Sequence, residues 1–193
     1  MKTNHFGGMD FPNRTSQRGV GMVEVLVAMV LLAIGVLGYA ALQVRAVEAT
    51  GEALNRSQAM VILRGFAEQI RVNSAAQSAY PTAVQTYYSN LASAPLAPSK
   101  NCITGNCTSA ELAIFDSYQT ARTAFNLGMK ISVLDCPGVN NVPKRQCLFA
   151  AWGKTTLPTD STLPATASDP STECMLSDGI YQPQATCLMM EAY

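Results

Sequence analysis

Histidine is almost missing from this chain: the single one, His5, lies before the first long apolar segment. If those first residues are removed, no imidazole remains for a Ser-His-Asp triad or a histidine general base, although composition leaves carboxylate and lysine chemistry open. Charge is also scarce, at 13% of residues, with 13 basic side chains balancing 13 acidic ones. Lysine and arginine form no run or patch, so nucleic-acid binding has no electrostatic support. No C-x-x-C pair occurs, and no histidine is placed to complete a zinc site. No cofactor is expected. Proline and charge are both absent from Val25 to Leu42, a run of eighteen residues.

That last absence defines the most informative segment. Gly19 to Leu42 reads G-V-G-M-V-E-V-L-V-A-M-V-L-L-A-I-G-V-L-G-Y-A-A-L, with one carboxylate, Glu24, five positions beyond the first glycine. Eighteen helical residues rise about 27 Å, just short of the roughly 30 Å hydrocarbon core, and Met22 and Val23 extend the helix enough to span it. A membrane span over about 22–42 follows. Lys2, Arg14 and Arg18 mark the leader side as cytoplasmic, and Arg45, Glu48 and Glu52 follow on the translocated side. A secretory signal places its small-residue cleavage site after the apolar run, whereas here the plausible cut precedes it, so the helix stays with the mature chain.

Glu24 therefore falls near the cytoplasmic boundary of the membrane. An acidic side chain at mid-bilayer costs on the order of 3 kcal/mol, and less toward the interface. Moving it into a packed helical core worsens the desolvation unless a cation accompanies it. The bland alternative is an ordinary membrane helix carrying a tolerated interfacial carboxylate.

Arg18, Gly19, Glu24 and the long apolar helix together resemble the N-terminus of a type IV prepilin, the class III or N-methylation signal. The resemblance implies that a prepilin peptidase cuts between Gly19 and Val20 and methylates the new amine of Val20. It also implies that Glu24 pairs with the Val20 ammonium of a neighbouring subunit and so registers helices during assembly. The wider string from Gln17 to Gln43 is most similar to the minor pilins called PilV, the type IV pilus modification proteins. Two departures from major pilins stand out: Val20 replaces the usual phenylalanine, and no proline interrupts the chain between Val20 and Tyr80. Both favour a minor pilin over a filament-forming one. The start of translation is open between Met1 and Met9.

Loss of residues 1–19 removes three basic groups and Asp10, leaving 10 against 12, about −2. All six cysteines, Cys102, Cys107, Cys136, Cys147, Cys174 and Cys187, lie beyond the apolar helix. An even number on the translocated side reads as disulfides in an oxidising periplasm or at the cell surface, with metal binding as the rival. Fifteen pairings exist in principle; the layout favours the local ones, Cys102–Cys107, Cys136–Cys147 and Cys174–Cys187. Short loops closed in this way contribute roughly 2–3 kcal/mol each in the chain-entropy account.

The helix is expected to continue to residue 73. Val44, Val47, Leu54, Val61, Ile62, Phe66 and Ile70 supply an apolar stripe opposite Arg45, Glu48, Glu52, Arg56, Arg64, Glu68 and Arg71. A helix from 20 to 73 would be roughly 80 Å long, with Gly51 as a point of weakness. Residues 74–107, with Pro81, Pro95 and Pro98, read as irregular connection. Thr108-x-x-Glu111 is a capping box opening a helix over about 109–127, with Leu112, Phe115, Tyr118 or Gln119, the Arg122 stem and Phe125 on its apolar face. The string T-S-A-E-L-A-I-F-D-S-Y resembles PilV proteins a second time. Strands are expected over 129–136, 146–155 and about 184–192, with a surface loop over 156–173. Trp152 is expected in the sheet core, Tyr87-Tyr88 as a loop anchor, Lys144-Arg145 at a solvated loop tip and Met189-Met190 in strand packing.

The fold expected is α+β and pilin-like: a long N-terminal helix on a small antiparallel sheet, with a second helix and disulfides. Its parts are a cleaved leader (1–19), the helix (20–73) and a disulfide-bonded head (74–193) in the periplasm and, after assembly, on the pilus. The resemblance implies a non-enzymatic minor pilin that primes pilus assembly, sits in or at the tip and supports adhesion and twitching motility. Its partners would be prepilin peptidase, the other minor pilins and the major pilin, the inner membrane and a tip adhesin. A minor pseudopilin of type II secretion is the alternative, a competence pseudopilin a lesser variant, and a membrane-anchored periplasmic enzyme or binding domain the reading from another class.

Overall fold

The computed structural model describes residues 19–87, 91–137, 145–158, 163 and 172–192. The leader residues Lys2, His5, Met9, Asp10, Arg14 and Arg18, together with Tyr88, Lys144 and most of the 156–173 loop, lie outside the described residues.

Helix α1 runs unbroken from Met22 to Val72, Gly51 included. The chain divides into two compact units after Glu48. In the first, every described residue is exposed, apolar side chains among them. An 18-residue window of α1 has mean hydropathy 2.6 with none of it buried, long and apolar enough to cross a membrane by length and composition. A helical stretch apolar on all sides and exposed throughout its described residues is suited to lipid or to other helices.

In the second unit, the rest of α1 buries Ala59, Ile62, Leu63, Phe66, Ala67 and Ile70. This corrects the expected stripe. Spacings of three and four from Ala59 to Ile70 define one face, and Val61, one residue or about 100° away from Ile62, lies on another and is 69% exposed. Val44, Val47 and Leu54 are exposed too.

The expectation of irregular chain after residue 73 is also corrected. A 3-10 segment, Ser74–Ala79, leads into helix α2, Tyr80–Tyr87. Pro81 sits in the first turn of α2, where a missing N–H removes a donor that would lack an intrahelical acceptor anyway, so proline opens this helix. Helix α3, Ser109–Asn126, starts at Thr108 with the complete capping box: the Glu111 N–H donates to Thr108 Oγ1 at 3.3 Å, and the Thr108 N–H donates to Glu111 Oε2 at 2.8 Å. Its buried face is turned from the expected one, toward Ala113, Ser117, Thr120, Ala121 and Ala124 alongside Phe115 and Tyr118. Small side chains allow α3 to approach α2 and the sheet closely, while Leu112 and Phe125 are only half-buried and Arg122 is exposed. Gly128, at φ +70°, makes the turn out of α3 in a conformation that favours glycine.

Strands β1 (Met129–Asp135), β2 (Gln146–Trp152) and β3 (Cys187–Ala192) form an antiparallel sheet in the order β1-β2-β3. The register pairs Met129 with Trp152 and Ala151 with Cys187. β2 ends earlier than the expected residue 155, at a turn through Gly153 with φ +63°. Period-2 alternation gives the sheet two buried faces. Met129, Ile131, Val133, Leu148, Ala150 and Trp152 join the helices in one core. Leu134, Cys147, Phe149, Ala151 and Cys187 face a second, formed with Leu157, Leu163, Cys174 and Met175. The head is thus helices, sheet and a C-terminal loop layer, on an α+β plan.

Each cysteine is bonded to its nearest neighbour in sequence: Cys102–Cys107, Cys136–Cys147 and Cys174–Cys187, with Cα separations of 5.5, 4.9 and 5.8 Å. Cys136–Cys147 closes the end of β1 on the start of β2, where the Cys136 N–H also donates to the Arg145 carbonyl at 2.9 Å.

Candidate functional site at the start of the first helix

Gly19 to Gly21 precede the helix in non-helical, exposed backbone. The Gly21 carbonyl accepts from the Glu24 N–H at 2.9 Å and the Val25 N–H at 3.3 Å, so Glu24 occupies the first turn. A carboxylate there complements the unpaired N–H groups at the helix start. Val20, Glu24, Val25, Ala28, Met29 and Leu32 line one open concavity of about 350 Å³. Val20, just before the helix, and Glu24, in its first turn, therefore border one concavity that is otherwise lined by apolar side chains. Glu24 makes no salt bridge among the described residues.

The head holds polar groups of a different kind, and apart from the Thr108–Glu111 cap they are unforeseen in the sequence, because partners such as Asn73 and Ser109 are far apart in it. Asn73, 6% exposed, donates from Nδ2 to Tyr80 Oη at 3.2 Å and to the Ser109 carbonyl at 2.8 Å. Tyr80 donates its hydroxyl to Asp116 Oδ2 at 2.8 Å. Burial pushes the Tyr80 hydroxyl well above the usual phenol range, against the opposing pull of the Asn73 hydrogen bond. Burial also raises the Asp116 carboxyl, and the Tyr80 hydrogen bond opposes it. At the surface, Glu111 is drawn down to about 2, first by the Lys100 ammonium at 2.8 Å and then by Thr108. Lys130 is buried in β1, donates to the Thr155 carbonyl at 2.8 Å, and is lowered by desolvation. These arrangements hold helix ends and turns in place. Among the described residues, no group of three or more His, Cys, Asp or Glu is set to hold a metal ion.

The remaining sequence-derived residues are structural. Trp152 is 4% exposed in the sheet core and donates its indole N–H to Glu52 at 2.8 Å. Tyr87 is half-buried and meets the Tyr118 ring edge-on, with centroids 5.7 Å apart. Met189 and Met190 are half-buried on opposite sheet faces. Arg145 pairs with Glu191 at 2.6 Å, so it is tied to the sheet rather than free at a loop tip.

Two models of known families match. Residues 14–40 match the prokaryotic N-terminal methylation motif, and residues 41–118 match the family described as Type IV pilin Tt1218. No curated protein and no solved structure matches the chain. The two matches abut at residues 40 and 41, inside α1, and the second ends within α3, before the sheet begins.

Proposed function

We propose that this chain, a type IV pilin with a prepilin signal and hence a pilus-type subunit, is a minor pilin of the PilV kind that helps prime pilus assembly and sits in or at the tip. Prepilin peptidase cuts between Gly19 and Val20 and methylates the Val20 amine. The apolar first unit stays in the inner membrane with the head in the periplasm, and moves with other subunits into the filament. There the cysteine-bonded head supports adhesion and twitching motility. The role is structural: the subunit's work is to pack, and its chemistry is done on it by the peptidase.

The observation that carries this reading is the placement of Glu24. It stands in the first turn of a helix with no buried residue up to Glu48 and borders the same concavity as Val20. In lipid the carboxylate sits at the boundary; in a helical bundle it needs a cation, and cleavage makes one at Val20 of the adjoining subunit. Val20 in place of phenylalanine and the proline-free α1 support a minor over a major pilin.

Mass spectrometry of the mature N-terminus tests the processing step, with methylated Val20 as the expected species. An N-terminus elsewhere, or an unmodified Val20, removes the prepilin reading. Comparing the sheared pilus fraction with the secretion apparatus as the site of incorporation separates the pilus role from that of a type II secretion pseudopilin.

A further inference from the structure

The three disulfides differ in how they can be reached. Cys174 and Cys187 are 1% and 4% exposed, and Cys147 is 1% exposed. Cys102 and Cys107 are both half-buried, on a loop whose other residues, Ile103 to Asn106, are all exposed. Thiol–disulfide exchange needs an attacking thiolate to reach one sulfur while the other departs as a thiolate. Attack on half-buried Cys136 would leave a Cys147 thiolate beside Leu134 and Phe149, in surroundings that disfavour the charged form. Cys102 and Cys107 are instead both half-buried beside exposed loop residues, with Cys102 Sγ 3.8 Å from the Glu111 carbonyl at the start of α3, so neither leaves its thiolate in an apolar core.

This bond also sits at a junction. Lys100 precedes Cys102, and Thr108 follows Cys107 directly. With the loop closed, Lys100 Nζ is 2.8 Å from Glu111 Oε2, the same oxygen that accepts from the Thr108 N–H. One residue after the cap, the Ser109 carbonyl accepts from Asn73, which ends α1 and reaches the buried Tyr80–Asp116 pair. A continuous set of contacts therefore links the half-buried bridge to the end of α1.

We propose that Cys102–Cys107 is a separately reducible clip on the N-terminus of α3, whose opening loosens the Asn73–Ser109 tie while the sheet and its two disulfides stay intact. A dithiol reductant is the reaction partner. Its first thiolate forms a mixed disulfide with one cysteine and releases the other as a thiolate; its second thiolate then displaces the first cysteine. The protein gains two electrons and, with two protons, carries two thiols; the dithiol becomes a cyclic disulfide.

The test uses the full chain in detergent, treated under native conditions with a small dithiol and trapped with an alkylating reagent. Peptide mass mapping should show Cys102 and Cys107 labelled about tenfold or more faster than the other four, which react only in denaturant. In the selectively reduced protein, amide exchange should quicken in residues 109–112 and 73–80, the Glu111 carboxyl should titrate closer to its ordinary range, and the sheet amides should stay protected. The Cys102→Ser/Cys107→Ser double variant should show the same pattern. Release of all six cysteines together, or of another pair first, overturns separate reducibility. Selective labelling with unchanged exchange at 73–80 and unchanged Glu111 titration overturns the clip.

Discussion

Trp152 donates its indole N–H to Glu52 at 2.8 Å across one hundred residues of sequence, joining the end of β2 to α1. The indole is buried at 4% exposure, while the Glu52 side chain is 39% exposed and also lies 3.6 Å from Arg56. Trp152→Phe removes the donor and leaves a gap, whereas Glu52→Gln keeps an acceptor at reduced strength. Hydrogen bonds to charged groups contribute about 1.5–3 kcal/mol, so Trp152→Phe should destabilise by at least that order and Glu52→Gln by about 1 kcal/mol. Chemical unfolding of the full chain in detergent measures both. The double variant should destabilise less than the sum, because the two changes remove one interaction. Strict additivity would show that the pair is not coupled.

The Tyr80–Asp116 pair predicts a pH dependence. The folded Asp116 carboxyl is raised above its ordinary value of 3.8. Its contribution is therefore full below that value, where the group is protonated folded and unfolded, and is lost as pH rises through the raised folded value. Asp116→Asn keeps an acceptor for Tyr80 without the charge. Relative to wild type, the variant should gain stability as pH rises above 3.8, the ordinary value, and keep that gain once the folded carboxyl has ionised. The measurement is the difference in unfolding midpoint between the two proteins at each pH. A difference that does not change with pH would contradict the assignment.

Glu111 behaves in the opposite sense. Its folded value is about 2, against 4.5 for the free group. The contribution is present above 4.5 and fades as pH falls toward 2, so the gap between wild type and Glu111→Gln should close over that interval. The pairing with Lys100 is exposed, so added salt should narrow the gap as well. Thr108→Ala, which removes the cap hydroxyl and its hydrogen bond to Glu111 Oε2, should lower stability by about 0.5–2 kcal/mol where Glu111 is ionised, and by less as pH falls toward 2.

How much of this was visible beforehand depended on sequence distance. Thr108 and Glu111 are three residues apart, and their cap follows from the residue types alone. β1 and β2 carry β-branched or aromatic residues between turn signals, so their existence is legible and only their ends shift, whereas β3, Cys-Leu-Met-Met-Glu-Ala, carries neither type. Pro81 reads as an interruption in sequence, since proline breaks a helix interior, yet it is equally suited to the first turn where it stands. The buried face of α3 differs from the one its large side chains predict, because Ala113, Ala121 and Ala124 are the residues buried there. Asn73–Ser109, at a separation of 36, and Glu52–Trp152, at 100, are fixed by tertiary packing and left no local pattern to read.

The corrected face of α1 gives a direct contrast. Leu63 is fully buried and Val61, two residues earlier, is 69% exposed. Leu63→Ala should cost about 2–5 kcal/mol through lost burial and the cavity left behind. Val61→Ala should stay within about 0.5 kcal/mol, as surface changes do. Equal effects in unfolding experiments would return the apolar stripe to the expected set of residues.

Glu24 tests the assembly proposal without confusing it with membrane insertion. Glu24→Ala removes a charge from the lipid boundary, so retention in the inner membrane should be as good as wild type or better. Gly19 and Val20 are untouched, and mass spectrometry should find the same cleaved, methylated N-terminus. What the variant lacks is the partner for a neighbouring subunit's ammonium, which is then carried into the bundle unpaired. Leaving one charge of a buried pair alone costs about 3–5 kcal/mol, which corresponds to a fall of about a hundredfold or more in incorporation. Quantitative blotting of membrane and sheared pilus fractions reads both arms at once. Normal processing and membrane level with severe loss from the filament fits the pairing; wild-type recovery in the filament would mean that Glu24 has no part in assembly.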